Sequence, residues 1–148
     1  MGGDEDLIKL YSQRILALAA DIALTERLGD ADVSARKRSP LCGSTVTVDL
    51  KLDNGRIAEF GQDVKACALG QAAASVLSRH VVGCTREQIA VLRDQLVAML
   101  KADGPVPDAP FEDLEVLLPA RGYKNRHASI LLAVEATLEA FDQALEAA

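Results

Sequence analysis

Residues 45–62 read TVTVDLKLDNGRIAEFGQ, and this stretch decides the fold class. Val46, Val48, Leu50 and Leu52 alternate with Thr45, Thr47, Asp49 and Lys51. A period of two places the apolar set on one face of a half-buried antiparallel strand, expected over 44–53. Asp53-Asn54-Gly55 follows, and Asn and Gly tolerate the positive φ of a tight hairpin. Residues 56–62 return as the partner strand, with a less regular pattern. An edge strand around Val33 would complete a small antiparallel sheet.

On the N-terminal side, residues 4–28 read as a helix ended by Gly29, because Leu7, Leu10, Tyr11, Ile15, Leu18 and Ile22 recur at three- and four-residue steps. On the other side the pattern turns helical after Cys67. ALGQAAASVLSRHVV is rich in alanine, a good helix former. Gly83 stops it. Thr85 and Gln88 form a capping-box pattern that opens a further helix, with Ile89, Leu92, Leu96 and Met99 as its buried face. Residues 103–110, DGPVPDAP, read as a loop. Phe111 to Leu118 reads as a short amphipathic helix, broken by Pro119 and Gly122. The last helix is expected from about Arg126 to Ala147, with Ile130, Val134, Leu138, Phe141 and Leu145 on one side. Strands and helices are segregated, so the class is α+β, a small antiparallel sheet packed against several helices.

The 148 residues fit one domain, residues 1–148. Aromatics are 3% and Trp is absent against 49% hydrophobic residues, so the core must be aliphatic. Net charge is −6, and the dense basic stretches, Arg36-Lys37-Arg38 and Lys124 to Arg126, are short. Nucleic acid is therefore a poor partner. No apolar run reaches the ~18 residues that span a membrane, and MGGDEDL lacks a signal-peptide pattern. A cytoplasmic location is the expectation.

Three cysteines, Cys42, Cys67 and Cys84, are too few and too widely spaced to read as a disulfide framework. Cys42 sits in the loop SPLCGS before a strand. Cys67 falls where hairpin meets helix, and a helix N-terminus favours the thiolate. His127 falls at another loop-to-helix junction, in KNRHAS. Thiolate and imidazole suit zinc or an iron–sulfur cluster, and element ends can present such ligands to solvent. Spacing alone leaves open two buried cysteines and a surface histidine. Cys84, in an interhelical turn, and His80, near a helix C-terminus, read as structural. Asp63 and Lys65 flank Cys67 as loop charges, and Arg121 and Lys124 precede His127 either as a solvated loop or as cations that tune a thiolate or meet a partner.

Several local words together resemble the NifU/IscU-type iron–sulfur cluster assembly scaffolds. YSQRIL resembles the family's Tyr-Ser helix start, and SPLCGS its Asn-Pro-x-Cys-Gly-Asp loop. VTVDLKLDNGRIAEFGQDVKACALGQAAASVL resembles its hairpin, Gly-x-x-Cys and Ala/Ser-rich helix. RHASIL resembles its His-Cys-Ser-x-Leu helix start. The family's ligands are three cysteines, an aspartate beside the first, and often a histidine before the third. The resemblance implies Cys42, Cys67 and His127 as cluster or metal ligands here; Ser44 stands at the aspartate position and Ala128 at the third cysteine. A closed zinc site or a two-iron cluster wants four donors, so one position stays open for water, a partner's thiol or Ser44.

What the resemblance implies is a non-enzymatic scaffold or carrier, holding zinc or a transient 2Fe-2S cluster. Its partners would be a cysteine desulfurase, an iron donor and acceptor apoproteins, with a homodimer mate able to complete the ligand set. The alternatives are a sulfur-transfer partner of the desulfurase and a metal-free interaction module that retains the fold.

Overall fold

The computed structural model describes residues 13–40 and 43–147. Helix α1 covers residues 13–19 of these, followed by β1 (Val33–Arg38), β2 (Thr45–Asp53) and β3 (Arg56–Lys65). Then come α2 (Ala68–His80), α3 (Arg86–Lys101), 3-10 helices at Glu112–Gly122 and Lys124–Arg126, and α4 (His127–Ala147). The three strands form one antiparallel sheet in the order β1-β2-β3. The α+β architecture read from the sequence is the one observed.

The hairpin forms as expected, with Asn54 at φ 54° and Gly55 at φ 77°. The irregular pattern of the return strand has a cause. Lys51 pairs with Glu59 and Leu52 with Ile57, so Ala58 is an extra, bulged residue. The bulge changes the phase of alternation, and Ile57 and Phe60, three apart, both enter the core.

The long first helix is corrected. Its expected residues 4–12 lie outside the described ones, and helix ends at residue 19. Leu24 takes a positive φ of 57°, and residues 22–32 form an irregular strap. Its backbone is satisfied by the sheet: Gln62 donates from its main-chain N to Leu24 O at 3.0 Å and from Nε2 to Ala23 O at 2.9 Å. The strap then crosses the outer sheet face above Gly61, where a Cβ would meet Glu26 O and the Leu28 side chain. Asp49, fully buried beneath it, accepts from Arg27 Nε at 2.6 Å, Arg27 Nη2 at 3.0 Å, Leu28 N at 3.0 Å and the Ser34 hydroxyl. Periodicity could not reveal these tertiary bonds, which outweigh the helical preference of 20–28.

Two further corrections concern the C-terminal half. The segment after Phe111 is a 3-10 helix that continues through Pro119 to Gly122. Phe111, Leu114, Leu117 and Ala120 are buried at steps of three, the 3-10 period, which sequence reading takes for an amphipathic α-helix. Helix α4 is buried on more than one side: besides Ile130, Val134, Leu138 and Phe141, Leu131, Leu132, Ala133 and Ala136 are inside, while Leu145 is exposed. It packs on β1, β2, α2 and α3 together, so α4 is the central element of the fold. Ala72, Ala73, Ala74 and Ser75 of α2 are buried, and their small side chains permit the close α2–α4 approach. Fully buried Leu50, Ile57, Ile89, Leu96, Leu114, Leu117 and Ile130 supply the aliphatic core, each contributing about 1.5–3 kcal/mol. Helix α3 carries the expected capping box, Thr85 with Gln88.

Candidate functional site

Three chain segments meet where β2 begins, β3 ends and α4 starts. Cys67 is the N-cap of α2, with φ −68° and ψ 170°, two residues beyond the end of β3. Ser44 immediately precedes β2, and Ser129 lies in the first turn of α4. The Ser129 hydroxyl lies 3.4 Å from Cys67 Sγ and 3.1 Å from Ser44 Oγ, and its single proton can be turned to either; toward an ionised sulfur it donates to Cys67. Ser44 and Ser129 are buried, at 5% and 1% exposure, while Cys67 is partly exposed. The sulfur is the member of this chain that solvent or a ligand can reach.

Gly70 makes the junction possible. A Cβ there would stand 2.7 Å from Ser129 Oγ and 3.0 Å from Ser129 O, so only glycine lets the starts of α2 and α4 come this close. The loop before Ser44 is tied by its ends: Ser39 N donates to Ser44 O at 2.8 Å and Gly43 N to Ser39 O at 3.0 Å. Gly43 holds φ 71°, a left-handed conformation suited to glycine. Cys42, one residue earlier, lies outside the described residues.

The electrostatics favour an ionised sulfur. Burial works against the charge on Cys67, but the Ser129 hydroxyl, the N–H groups of Gly70 and Leu69, and the Arg126 guanidinium outweigh it, and the thiol sits below its ordinary value. Cys84 behaves oppositely. It is buried at 7% exposure, donates to His80 O at 3.3 Å, and burial pushes its thiol up despite Arg56. Its structural reading stands.

His127 is not presented to solvent. It begins α4 at 3% exposure, and its Nε2 lies 2.9 Å from Ala120 O. A carbonyl only accepts, so Nε2 is the donor in this contact and Nδ1 is the ring nitrogen left for another partner. The ring also borders a cleft of about 460 Å³ lined by Leu100, Lys101, Asp103, Arg121 and Lys124. Arg121, read as a loop cation, instead donates to Met99 O and Gly104 O at 2.6 Å each, closing the C-terminal end of α3. His80 packs edge-on against Phe111, centroids 6.1 Å apart. Among the described residues no three His, Cys, Asp or Glu side chains are grouped as a metal site.

Sequence reading missed Ser129 and Arg126. The serine stood in the RHASIL word, but nothing in spacing indicated that its hydroxyl would bridge to residues 62 and 85 positions away.

The profile of the family described as NifU-like N terminal domain matches residues 11–115, a span that contains Cys42, Ser44 and Cys67 and stops before His127. The crystal structure of a nitrogen-fixing NifU-like protein (N-terminal) from Brucella abortus superposes with a TM-score of 0.90 at 43% identity, covering 93% of this chain and 96% of that one. The iron–sulfur cluster assembly scaffold protein IscU of Thermotoga maritima is 24% identical over 131 residues, 88% of this chain and 92% of its own. A putative iron–sulfur cluster assembly scaffold protein for the SUF system from Fervidobacterium islandicum AW-1 shares the fold at TM-score 0.75 and 17% identity, covering 86% of this chain and 93% of that one.

Proposed function

Because the chain belongs to the NifU-like N-terminal domain family, we propose that it is a non-enzymatic iron–sulfur assembly scaffold or carrier that binds its cargo through Cys42, Cys67 and His127. One observation carries this reading: the Cys67–Ser129–Ser44 chain of contacts joins the three segments on which those ligands lie. Cys67 supplies a thiolate that its surroundings already favour. Cys42 is two residues from Ser44, a span of at most about 7 Å. His127 offers Nδ1, with its other ring N–H donated to Ala120 O, the usual support of a metal-bound imidazole. Ser44 and Ala128 leave one coordination position open, which suits a cargo that is passed on, or a ligand from a second chain.

The partners this role requires are a cysteine desulfurase, an iron donor and acceptor apoproteins. The reduced protein should bind close to one zinc per chain, or take up a 2Fe-2S cluster anaerobically. Cys67→Ala and Cys42→Ala should each abolish uptake without unfolding the chain, and Ala128→Cys should lengthen cluster retention. A folded, reduced wild type that takes up neither metal nor cluster would overturn the proposal. The depressed Cys67 thiol also supports a second reading, acceptance of sulfur from the desulfurase. Persulfide trapping on Cys67 without metal would favour it.

A further inference from the structure

Among the described residues, the outer face of the sheet is covered over only part of its length. Cross-strand partners share a face, so the outer rows are Ser34–Asp49–Gly61, Arg36–Thr47–Asp63 and Arg38–Thr45–Lys65. The strap covers the first row through Arg27 and Leu28. The other two rows lie at the end where β2 begins and β3 ends, beside Ser44 and Cys67. Arg36, Arg38 and Lys65 are exposed there. Among the described residues, Arg36 and Arg38 form no hydrogen bond or ion pair, and Lys65 meets only Asp63, at 3.8 Å. Arg126, exposed in the 3-10 helix just before α4, adds positive charge near Cys67.

This is a local reversal of sign in a chain of net charge −6. Several cations elsewhere are paired, Arg27 with Asp49, Lys51 with Asp30, Arg79 with Asp21, Arg86 with Asp142 and Arg93 with Asp94, while Lys37, Lys101 and Lys124 carry no ion pair among the described residues but do not share this half-face. Arg36 and Arg38 stand unpaired on this threonine-bearing half-face beside the exposed Lys65–Asp63 pair, whose 3.8 Å contact screens Lys65 only in part; the half-face keeps a net positive charge, and charge complementarity there gives specificity and on-rate.

We propose that the open half-face formed by Arg36, Arg38, Lys65, Thr45 and Thr47 is a docking surface for an acidic patch on a protein partner that approaches Cys67. This rests on the scaffold reading for why a partner must reach Cys67, but not for the binding itself. A protein patch fits better than a nucleic acid. Three cations occupy two strand rows, too short a track for a phosphate backbone. A compact acidic patch meets the cations without meeting the rest of the surface.

The test uses the full chain with a decaglutamate peptide as probe, at low ionic strength, followed by amide chemical shifts and anisotropy. Shifts should centre on residues 36–38, 45–47 and 63–65. The Arg36→Glu/Arg38→Glu/Lys65→Glu variant should weaken the peptide by tenfold or more, while Arg93→Glu, which also reverses a cation, should change it less than twofold. Binding should fall as salt rises. Zinc content and the thermal melt are measured on every variant. Undiminished peptide binding by the triple variant, with zinc retained, overturns the docking surface alone; absence of zinc from the wild type overturns the scaffold reading alone. Tighter binding of a 20-base-pair duplex than of decaglutamate overturns the choice of a protein partner. A salt-sensitive self-association that the triple variant abolishes assigns the face to a second copy and likewise overturns it.

Discussion

Two polar clusters stand toward opposite ends of the sheet, and they are built differently. Under the strap, Asp49 is fully buried and receives four donated hydrogen bonds, two from Arg27, one from Leu28 N and one from Ser34. At the other end, Cys67 stays partly exposed and contacts a short chain of hydroxyls, Ser129 then Ser44. The first cluster is saturated: nothing further can bind a carboxylate whose surroundings are filled by the protein itself. The second is held in place from one side and approachable from the other. A saturated cluster fixes the fold, whereas a supported but unsaturated one is where a ligand can be added.

The sharpest way to break this comparison is to attack the clamp. Arg27→Ala leaves the Asp49 carboxylate buried with half its partners. Arg27 is about half exposed, at 54% for its side chain, and water can partly replace it, so the expected loss is about 2–3 kcal/mol. The thermal melt should record it while zinc uptake per folded chain stays unchanged. The clamp also fixes a pH dependence. Burial opposes the Asp49 charge, but Arg27, Ser34 and Leu28 N outweigh it and hold the carboxyl below its ordinary value. Its stabilisation is therefore present above pH ~4, the unfolded value, and lost as pH falls through the depressed folded one. The wild-type melt should decline more steeply below pH 4 than that of Asp49→Asn.

The contrast also explains what the sequence could reveal. Alternation along 45–52 and the Asn54-Gly55 turn are local signals, and the sheet, its hairpin and the α3 cap followed from them. The strap was illegible because it is dictated by Asp49, whose outward place in the alternation reads as solvent-facing. The central position of α4 was legible only in part: one apolar stripe was evident, but Leu131, Leu132 and Ala136 look like ordinary helix formers until four neighbouring elements surround them. At the candidate site, the place of Cys67 at a helix start was readable from the strand-to-helix change of period. Its partner Ser129 was not, since a serine in a helix has no periodic signature. The burial of His127 was hidden for the same reason: its partner Ala120 O belongs to a 3-10 turn that the pattern had ended at Leu118.

A second experiment asks whether the unsaturated cluster depends on close packing. Gly70→Ala places a Cβ 2.7 Å from Ser129 Oγ and 2.9 Å from Ala66 Cβ, and such overpacking costs about 1–3 kcal/mol. Unlike Arg27→Ala, it should also impair zinc uptake, because α4 must move away from Cys67. Equal zinc uptake by both variants would remove the distinction between the clusters.

The smallest stability effect is the most discriminating. Ser129→Ala removes a buried hydroxyl in hydrogen-bond contact with both Cys67 and Ser44, at a cost of about 1 kcal/mol. Its signature lies in the reactivity of the sulfur. In the reduced, metal-free wild type, Cys67 should be alkylated at neutral pH on the order of tenfold faster than Cys84, because one thiol is lowered and accessible while the other is raised and buried. Ser129→Ala removes the hydroxyl that most favours the Cys67 thiolate and should slow alkylation there several-fold, with Cys84 unchanged. A rate at Cys67 that ignores the substitution would mean that the helix N-terminus and Arg126 suffice, and that the hydroxyl chain only fixes how α2 and α4 meet.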